Sequence, residues 1–331
     1  MFAFPVLIGD IGGTNARFAV LPSPGAPYTL LPRMLTAAAP TPVEAIRAAL
    51  AAYDGPAPRS GMIAVANRVD TTAVTLTNAA WTVDAAEIGL AFGLERVTLV
   101  NDYTPVAASA ALLDASRGDL APVGEAGFGG SGARLVIGPG TGLGAGALAP
   151  VEGRFAVLAT EAGHMELGPV GGEELALWPH IEPVLGRISG EALLSGPGLL
   201  RLATALARLR GEPVAFAGPH QILESGREGL PVAVEALTLF ARLLGRFAGD
   251  LALAFEARGG VFIAGGIAPR MVDILQGGAL REAFDRKAPH EAWARAVPVS
   301  VVVHPEPALL GLSGLASEPG RFIFSSRSWD G

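Results

Sequence analysis

Residues 9–15 read GDIGGTN, and they lie between an apolar run that begins at Val6 and a second one over residues 17–21. Two adjacent glycines between apolar runs predict a tight turn that joins two strands. Backbone N–H groups in such a turn can bind a phosphate, and the carboxylate of Asp10 can hold Mg²⁺ directly or through water. An ordinary β-hairpin with an Asx turn explains this segment alone equally well. The segment is neither a Walker A loop nor a dinucleotide fingerprint, because no Gly-Lys-Ser/Thr and no helix follow it.

A second glycine-rich segment repeats this pattern at residues 138–144, which read GPGTGLG after the apolar run 134–137. Four glycines in seven residues leave the backbone accessible to a phosphate chain, and Thr141 adds a hydroxyl donor. The alternative is a closely packed glycine-rich hairpin. From Gly9 to Gly138 the offset is 129 residues. A module duplicated at that spacing predicts two similar α/β folds that face each other across a cleft.

Composition limits the class of protein. Half of the 331 residues are hydrophobic and 17% are charged, with 44 Gly and 26 Pro, which excludes a disordered chain and a helical bundle. The net charge of −7 argues against a general nucleic-acid binder. The chain has no Cys, which excludes disulfides, zinc-thiolate sites and cysteine nucleophiles. The first three predicted strands, the third over residues 28–35, are joined too closely for crossover helices. Strand–helix alternation follows, so we expect mixed sheets.

No segment of the sequence predicts a membrane span or a signal peptide. Asp10 and the neighbouring glycines interrupt the first apolar run. The longest strongly apolar region, about residues 232–257, contains five charged residues and predicts an amphipathic helix. Its apolar stripe consists of Leu237, Phe240, Leu244, Phe247 and Leu251. We therefore expect a soluble, cytoplasmic protein.

Asn101 and Asp102 follow a predicted buried strand over residues 97–100. Binding sites in open α/β sheets lie at the carboxyl ends of strands. A carboxylate there can accept a proton from an attacking hydroxyl. The alternative, that Asp102 merely caps the helix that follows Pro105, is favoured for this dipeptide alone.

Three more polar residues and a third glycine pair complete the candidates. Glu161, His164 and Glu191 can form hydrogen bonds to vicinal hydroxyls, although a loop histidine and a surface charge are the ordinary alternatives. No second His lies at metal-ligand spacing from His164. A strand that ends in Gly265 and Gly266 leaves room for a flat ligand such as adenine, or is a simple strand-to-helix turn.

Taken together, these segments resemble the bacterial glucokinases of the non-ROK type, within the hexokinase, Hsp70 and actin superfamily, from about residue 6 to 314. The resemblance implies a two-domain α/β fold of the ribonuclease-H-like, actin-like ATPase type, with mixed sheets and an interdomain active-site cleft. The small domain is then residues 1–112 plus 303–331, and the large domain is residues 113–302.

The resemblance also implies ATP-dependent transfer of the γ-phosphoryl group to the 6-hydroxyl of D-glucose, which gives glucose 6-phosphate and begins glycolysis. Asp102 is the implied general base. The implied substrate-binding residues are Asn78, Asn101, Asp102, Glu161, His164 and Glu191. The implied ATP-binding residues are Gly9, Asp10, Ile11, Gly12, Gly13, Thr14, Gly140, Thr141, Gly142, Gly265 and Gly266. Asp10 is the candidate for Mg²⁺, through water. Family members are commonly homodimers, and no nucleic acid or membrane partner is expected.

Two rival hypotheses remain. In the sugar-proximal segment 77–81, Ala79 replaces a family His, which motivates the alternative of a kinase for another hexose such as mannose or glucosamine. A non-catalytic sugar or nucleotide sensor is disfavoured because Asp102, both glycine-rich segments and Glu191 are intact.

Trp81 is predicted to report sugar binding by fluorescence unless it is a fixed core residue. Glu191 is expected to contact the sugar, away from both glycine-rich segments.

Overall fold

The structure is a computed structural model that describes residues 2–76, 79–125, 130–213 and 215–331. Asn78 lies outside the described residues. The contacts divide the chain into two compact units. The first unit comprises Met1–Leu113, Leu148–Ala159 and Pro305–Gly331, and the second comprises Asp114–Ala147 and Thr160–His304.

Strands and helices alternate along much of the chain. The strands are β1 (Val6–Ile11), β2 (Asn15–Leu21), β3 (Thr29–Leu30), β4 (Met34–Leu35), β5 (Ser60–Val65), β6 (Ala73–Thr75), β7 (Thr82–Asp84), β8 (Arg96–Asn101), β9 (Leu120–Pro122), β10 (Arg134–Pro139), β11 (Leu143–Val151), β12 (Arg154–Thr160), β13 (Gly260–Ile263), β14 (Val299–Val302), β15 (Phe322–Ile323) and β16 (Arg327–Asp330). The α-helices are α1 (Pro42–Leu50), α2 (Ala85–Phe92), α3 (Tyr103–Ser109), α4 (Gly172–Leu177), α5 (Gly190–Leu193), α6 (Gly196–Arg210), α7 (Pro219–Arg227), α8 (Pro231–Ala254), α9 (Val272–Leu275), α10 (Ala279–Asp285), α11 (Glu291–Ala296) and α12 (Pro307–Ser317).

A mixed sheet forms the centre of the first unit, with the strand order β16-β8-β5-β1-β2-β3 and β4 also paired to β2. Strands β1, β5 and β8 are parallel, whereas β1 and β2 form an antiparallel hairpin. Ile11, Val65 and Asn101 lie in register across the three parallel strands. The carboxyl ends of these strands therefore meet at one edge of the sheet, and the predicted mixed sheet is confirmed.

The second large sheet has the order β15-β12-β11-β10-β13-β14-β9. Strands β10, β13 and β14 are parallel neighbours, and β9 pairs antiparallel with β14. The carboxyl ends of β10 and β13 again lie side by side, because Ile137 pairs with Ile263. The two predicted glycine-rich segments of this unit, residues 138–144 and the Gly265–Gly266 pair, lie at the ends of these two strands.

Helix α8 confirms the predicted amphipathic helix. Its apolar stripe, which consists of Leu237, Phe240, Leu244, Phe247 and Leu251, is at most 3% exposed. Among the described residues no helix combines the length and the apolarity that crossing a bilayer requires.

The predicted third strand over residues 28–35 is wrong as one element. The structure has two two-residue strands there, β3 and β4, which pair with different parts of β2. Pro32 lies between them and has no N–H to donate to a continuous ladder.

Helix α8 also carries Arg246, which forms an ion pair with the buried Glu174 at 2.7 Å. Glu174 is only 4% exposed, so removing its nearer ion-pair partner leaves a buried carboxylate poorly compensated. Arg246→Met is expected to lower the free energy of unfolding by about 3 kcal/mol in urea unfolding experiments. The matched control is Arg242→Met, one helical turn earlier, because Arg242 is 40% exposed and 3.5 Å from Glu174. It is expected to cost under about 1 kcal/mol, and equal losses in the two variants would contradict the role assigned to Arg246.

Candidate active site

The carboxyl edge of the first sheet gathers the predicted residues of this unit. The N–H of Ala66 donates to the carbonyl of Ile11 at 3.1 Å, and the N–H of Asp102 donates to that of Val65 at 3.0 Å. Because neighbouring strands lie about 4.8 Å apart, Asp10 at the end of β1 and Asn101 at the end of β8 are roughly 10 Å apart.

Asp102 occupies the N-cap position of α3, but its side chain makes no capping hydrogen bond. Asn101 does this instead, since its Oδ1 accepts from the N–H of Tyr103 at 2.9 Å. Its Nδ2 donates to the carbonyl of Asn67 at 3.1 Å, which fixes the amide between two segments. The interpretation of Asp102 as a simple helix cap is therefore wrong. The pKa of the neighbouring Tyr103 is raised by burial and then by the charge of Asp102, so its hydroxyl stays protonated.

Asp10 lies in a network of four charges at the end of β1. Arg17 lies 3.6 Å from Asp10 and 3.2 Å from Glu306, and Arg33 lies 3.0 Å from Glu306. Burial raises the pKa of Asp10 from 3.8 to about 6, while Arg17 lowers it and Glu306 raises it. Ionisation of the Asp10 carboxyl group is therefore energetically unfavourable unless a further cation lies close to it.

This shift predicts how stability depends on pH. Between pH 4 and 6 the folded chain keeps Asp10 protonated while the unfolded chain ionises it, so the folded state binds more protons. Its stability then falls as pH rises, by at most about 3 kcal/mol for a shift of about two pKa units. Urea unfolding of wild type and Asp10→Asn, without Mg²⁺, is expected to show this fall in their difference. A difference that is constant from pH 4 to 7 would contradict it.

The turn between β1 and β2 is held by Thr36, a residue that no motif in the sequence indicates. The N–H of Gly12 donates to the carbonyl of Asn15 at 2.9 Å. The hydroxyl of Thr36 donates to the carbonyl of Gly12 at 2.9 Å, and its N–H donates to that of Thr14 at 3.0 Å. The carbonyl groups of Gly12 and Thr14 therefore both accept hydrogen bonds from Thr36. Gly13 is half-buried and the predicted Thr14 exposed, whereas Gly9 and Ile11 are buried within β1.

In the second unit, residues 140–142 form the turn between β10 and β11. The N–H of Gly140 donates to the carbonyl of Gly142, and the N–H of Gly196 donates to the carbonyl of Gly140, both at 2.8 Å. Gly196 is the first residue of the 15-residue helix α6, whose N-cap Ser195 accepts from the N–H of Gly198. A helix N-terminus adds a favourable field for an anion near this turn.

Gly265 and Gly266 lie against the same turn. Gly265 has a φ of +81°, and a Cβ there would lie 2.8 Å from the carbonyl carbon of Gly138. The N–H of Ile267 donates to the carbonyl of Pro139 at 3.2 Å. Nothing lies within 4 Å of a Cβ built on Gly266, so space is open beside the turn.

Glu161 and His164 are exposed, and their side chains approach each other to 3.8 Å. They flank Gly163, at which a Cβ would overlap the carbonyl oxygen of Leu143. The exposed pair therefore lies directly beside the start of β11.

Glu191 contacts the glycine-rich turn itself. Its Oε2 accepts from the N–H of Leu143 at 2.9 Å, and the carboxylate packs on Gly142. The expectation that Glu191 lies away from both glycine-rich segments is wrong. The structure thus brings residues 161–164, Glu191, residues 140–142 and the Gly265–Gly266 pair together in one cluster.

The model of the family described as Glucokinase matches residues 7–319. The chain belongs to the glucokinase family. The glucokinase of Rhizobium etli is 41% identical over 98% of this chain and 96% of that protein. A crystal structure of a glucokinase from an Antarctic psychrotroph has a TM-score of 0.82 at 30% identity and covers 96% of this chain and all of that one. A ROK family glucokinase from Streptomyces griseus, in complex with glucose and AMPPNP, has a TM-score of 0.63 at 25% identity and covers 94% and 98%.

Membership in the glucokinase family makes the chain a sugar kinase with the sugar kinase and actin-like ATPase fold, which confirms the predicted fold class. Its residues fit a nucleotide that arrives with its own metal ion. Among the described residues no three His, Asp or Glu side chains form a metal-binding group. Mg²⁺ bound by phosphates needs only one or two protein carboxylates, and Asp10 is available for this.

Proposed function

We propose that the chain transfers the γ-phosphoryl group of ATP to the 6-hydroxyl of D-glucose. The observation that carries the proposal is the carboxylate of Asp102. It stands at the carboxyl edge of the sheet that ends in the first glycine-rich turn, and Asn101 relieves it of the capping role.

In this proposal Asp102 orients the 6-hydroxyl and accepts its proton as the oxygen attacks the γ-phosphorus. The bond between that phosphorus and the bridging oxygen of ADP breaks, and ADP leaves with the electron pair. A carboxylate suits this role because phosphoryl transfer depends chiefly on positioning and on charge stabilisation. Asn101, with its amide held from both ends, positions the sugar beside Asp102.

Glu161, His164 and Glu191 bind the remaining hydroxyls in this proposal, together with Asn78. Carboxylates accept hydrogen bonds from vicinal hydroxyls, and charge-assisted bonds of this kind are worth about 1.5–3 kcal/mol each. The exposure of Glu161 and His164 leaves both side chains available to a ligand.

The two glycine-rich turns hold the phosphates of ATP in this proposal, and Gly265 and Gly266 hold the adenosine. Backbone N–H groups and the N-terminus of α6 are suitable partners for phosphate oxygens. Asp10 would hold Mg²⁺ through water, and the charge of the ion would offset the cost of ionising that buried carboxylate.

The test is an assay of ADP release with glucose, mannose and glucosamine, each with and without Mg²⁺. We expect glucose to give the highest kcat/KM, with little turnover when Mg²⁺ is removed. Higher kcat/KM for mannose or glucosamine would identify another hexose as the substrate, as Ala79 suggests. Binding of glucose and ATP without ADP release would indicate a sensor.

The proposal includes a homodimer in the cytoplasm. Light scattering of the purified chain distinguishes a monomer of 33.7 kDa from twice that mass. Fractionation of the producing cells tests the location.

A further inference from the structure

Glu191 belongs to the predicted sugar-binding set, yet its contact in the structure is with the second glycine-rich turn. Its Oε2 accepts from the N–H of Leu143, the first residue of β11, at 2.9 Å. The turn has no side chain at Gly142, and this absence is what lets the carboxylate approach, since a Cβ there would collide with Oε2. The absence of a side chain at Gly142 therefore leaves the space that the Glu191 carboxylate occupies.

Hydrogen bonds made by the two residues before Glu191 hold it in this position. Ser189 caps helix α5, with its hydroxyl accepting from the N–H of Ala192 at 3.2 Å. The N–H of Gly190 donates to the carbonyl of Met165 at 2.8 Å, which ties α5 to the segment that carries Glu161 and His164. The carboxylate is delivered to the turn by a backbone that is fixed on both sides.

We propose that Glu191 is a positioning residue that couples the sugar site to the phosphate-binding turn. One carboxylate oxygen, Oε2, holds the N–H of Leu143 and so the shape of residues 140–142, while Oε1 accepts a hydroxyl of the sugar. The sugar half of this inference rests on the proposed function. The turn half rests on the observed contact alone.

The coupling has a definite sign. A sugar that binds Oε1 restricts the rotation of the Glu191 side chain, and the turn then orders around Oε2 at a smaller entropic cost. Glucose should therefore raise the affinity for a nucleotide, and the nucleotide should raise the affinity for glucose by the same factor. A factor of about 5 or more is expected for coupling of this kind.

Two substitutions separate the two oxygens' roles. Glu191→Gln keeps an acceptor for Leu143 but loses the charge, so the turn should persist while glucose binding weakens. Glu191→Ala removes both contacts. The exposed Glu182 lies on the same unit, and Glu182→Ala is the matched control for the loss of a carboxylate.

The first measurement is hydrogen exchange of the Leu143 amide in the ligand-free protein. We expect exchange at least about tenfold faster in Glu191→Ala than in wild type, Glu191→Gln and Glu182→Ala. Equal protection in all four proteins would overturn the turn half of the inference. Circular dichroism and the protection of other β11 amides establish that each variant is folded.

The second measurement is calorimetric titration of AMPPNP and Mg²⁺ with and without glucose. We expect glucose to tighten AMPPNP binding in wild type and Glu182→Ala but not in Glu191→Ala. Coupling that persists in Glu191→Ala would overturn the inference. If glucose neither binds nor is phosphorylated but the Leu143 amide behaves as expected, the proposed function fails and the turn half stands.

Discussion

Asp102→Asn is expected to lower turnover by about 10²–10⁴-fold while the fold and glucose binding are retained. The amide has nearly the same shape as the carboxylate but does not accept the proton of the 6-hydroxyl. Because the side chain of Asp102 does not cap α3, and Asn101 provides that bond, the substitution leaves the helix start intact. The measurement is kcat with glucose, beside the dissociation constant for glucose from calorimetry.

The matched control is Asp54→Asn, which removes an exposed carboxylate from the same unit. It should leave kcat within a few-fold of wild type. If Asp102→Asn behaves like this control, Asp102 is not the base. If it loses glucose binding as well as turnover, Asp102 acts in binding the sugar rather than in proton transfer alone.

Local patterns allowed much of this fold to be predicted. The strand–turn–strand segment at residues 6–21 is encoded in contiguous apolar runs and a glycine pair, and β1 and β2 follow it closely. Helix α2 is bounded by local signals, because Asp84 caps one end and Gly93 ends the other with a φ of +63°. These signals lie within a few residues of the elements that they define.

Contacts between distant segments could not be predicted in the same way. The bond from Leu143 to Glu191 joins residues 48 positions apart, and the one from Thr36 to Gly12 joins residues 24 apart. Strand β16 pairs with β8 across more than 200 residues and is too short to show a periodic pattern. No rule of local spacing identifies such partners.

Trp81 illustrates the same limit. Its segment resembles a sugar-proximal part of the family, but Trp81 is 3% exposed and packs in the core of the first unit. Its indole N–H donates to the carbonyl of Ala39 at 3.0 Å, a partner 42 residues away. The interpretation of Trp81 as a fixed core residue is the one that these contacts favour.

Gly163→Ala is expected to lower kcat/KM for glucose by about 10²-fold. A Cβ at residue 163 would overlap the carbonyl oxygen of Leu143. Neither atom can move aside by a change of rotamer, so one of the two backbone segments must shift. The segment that carries Glu161 and His164 must then move away from the start of β11. A displacement of about 1 Å in positioning groups can cost about 10²-fold in rate. Overpacking should also cost about 1–3 kcal/mol of stability.

The matched control is Gly168→Ala, five residues further along the same segment, where nothing lies within 4 Å of the added Cβ. Steady-state kinetics with glucose and a urea unfolding curve for each variant make the comparison. Because Glu161 and His164 are themselves unchanged, a loss confined to Gly163→Ala would come from the position of the segment and not from its chemistry. Equal kcat/KM in the two variants would mean that the contact between Gly163 and Leu143 does not set the position of the sugar-binding side chains.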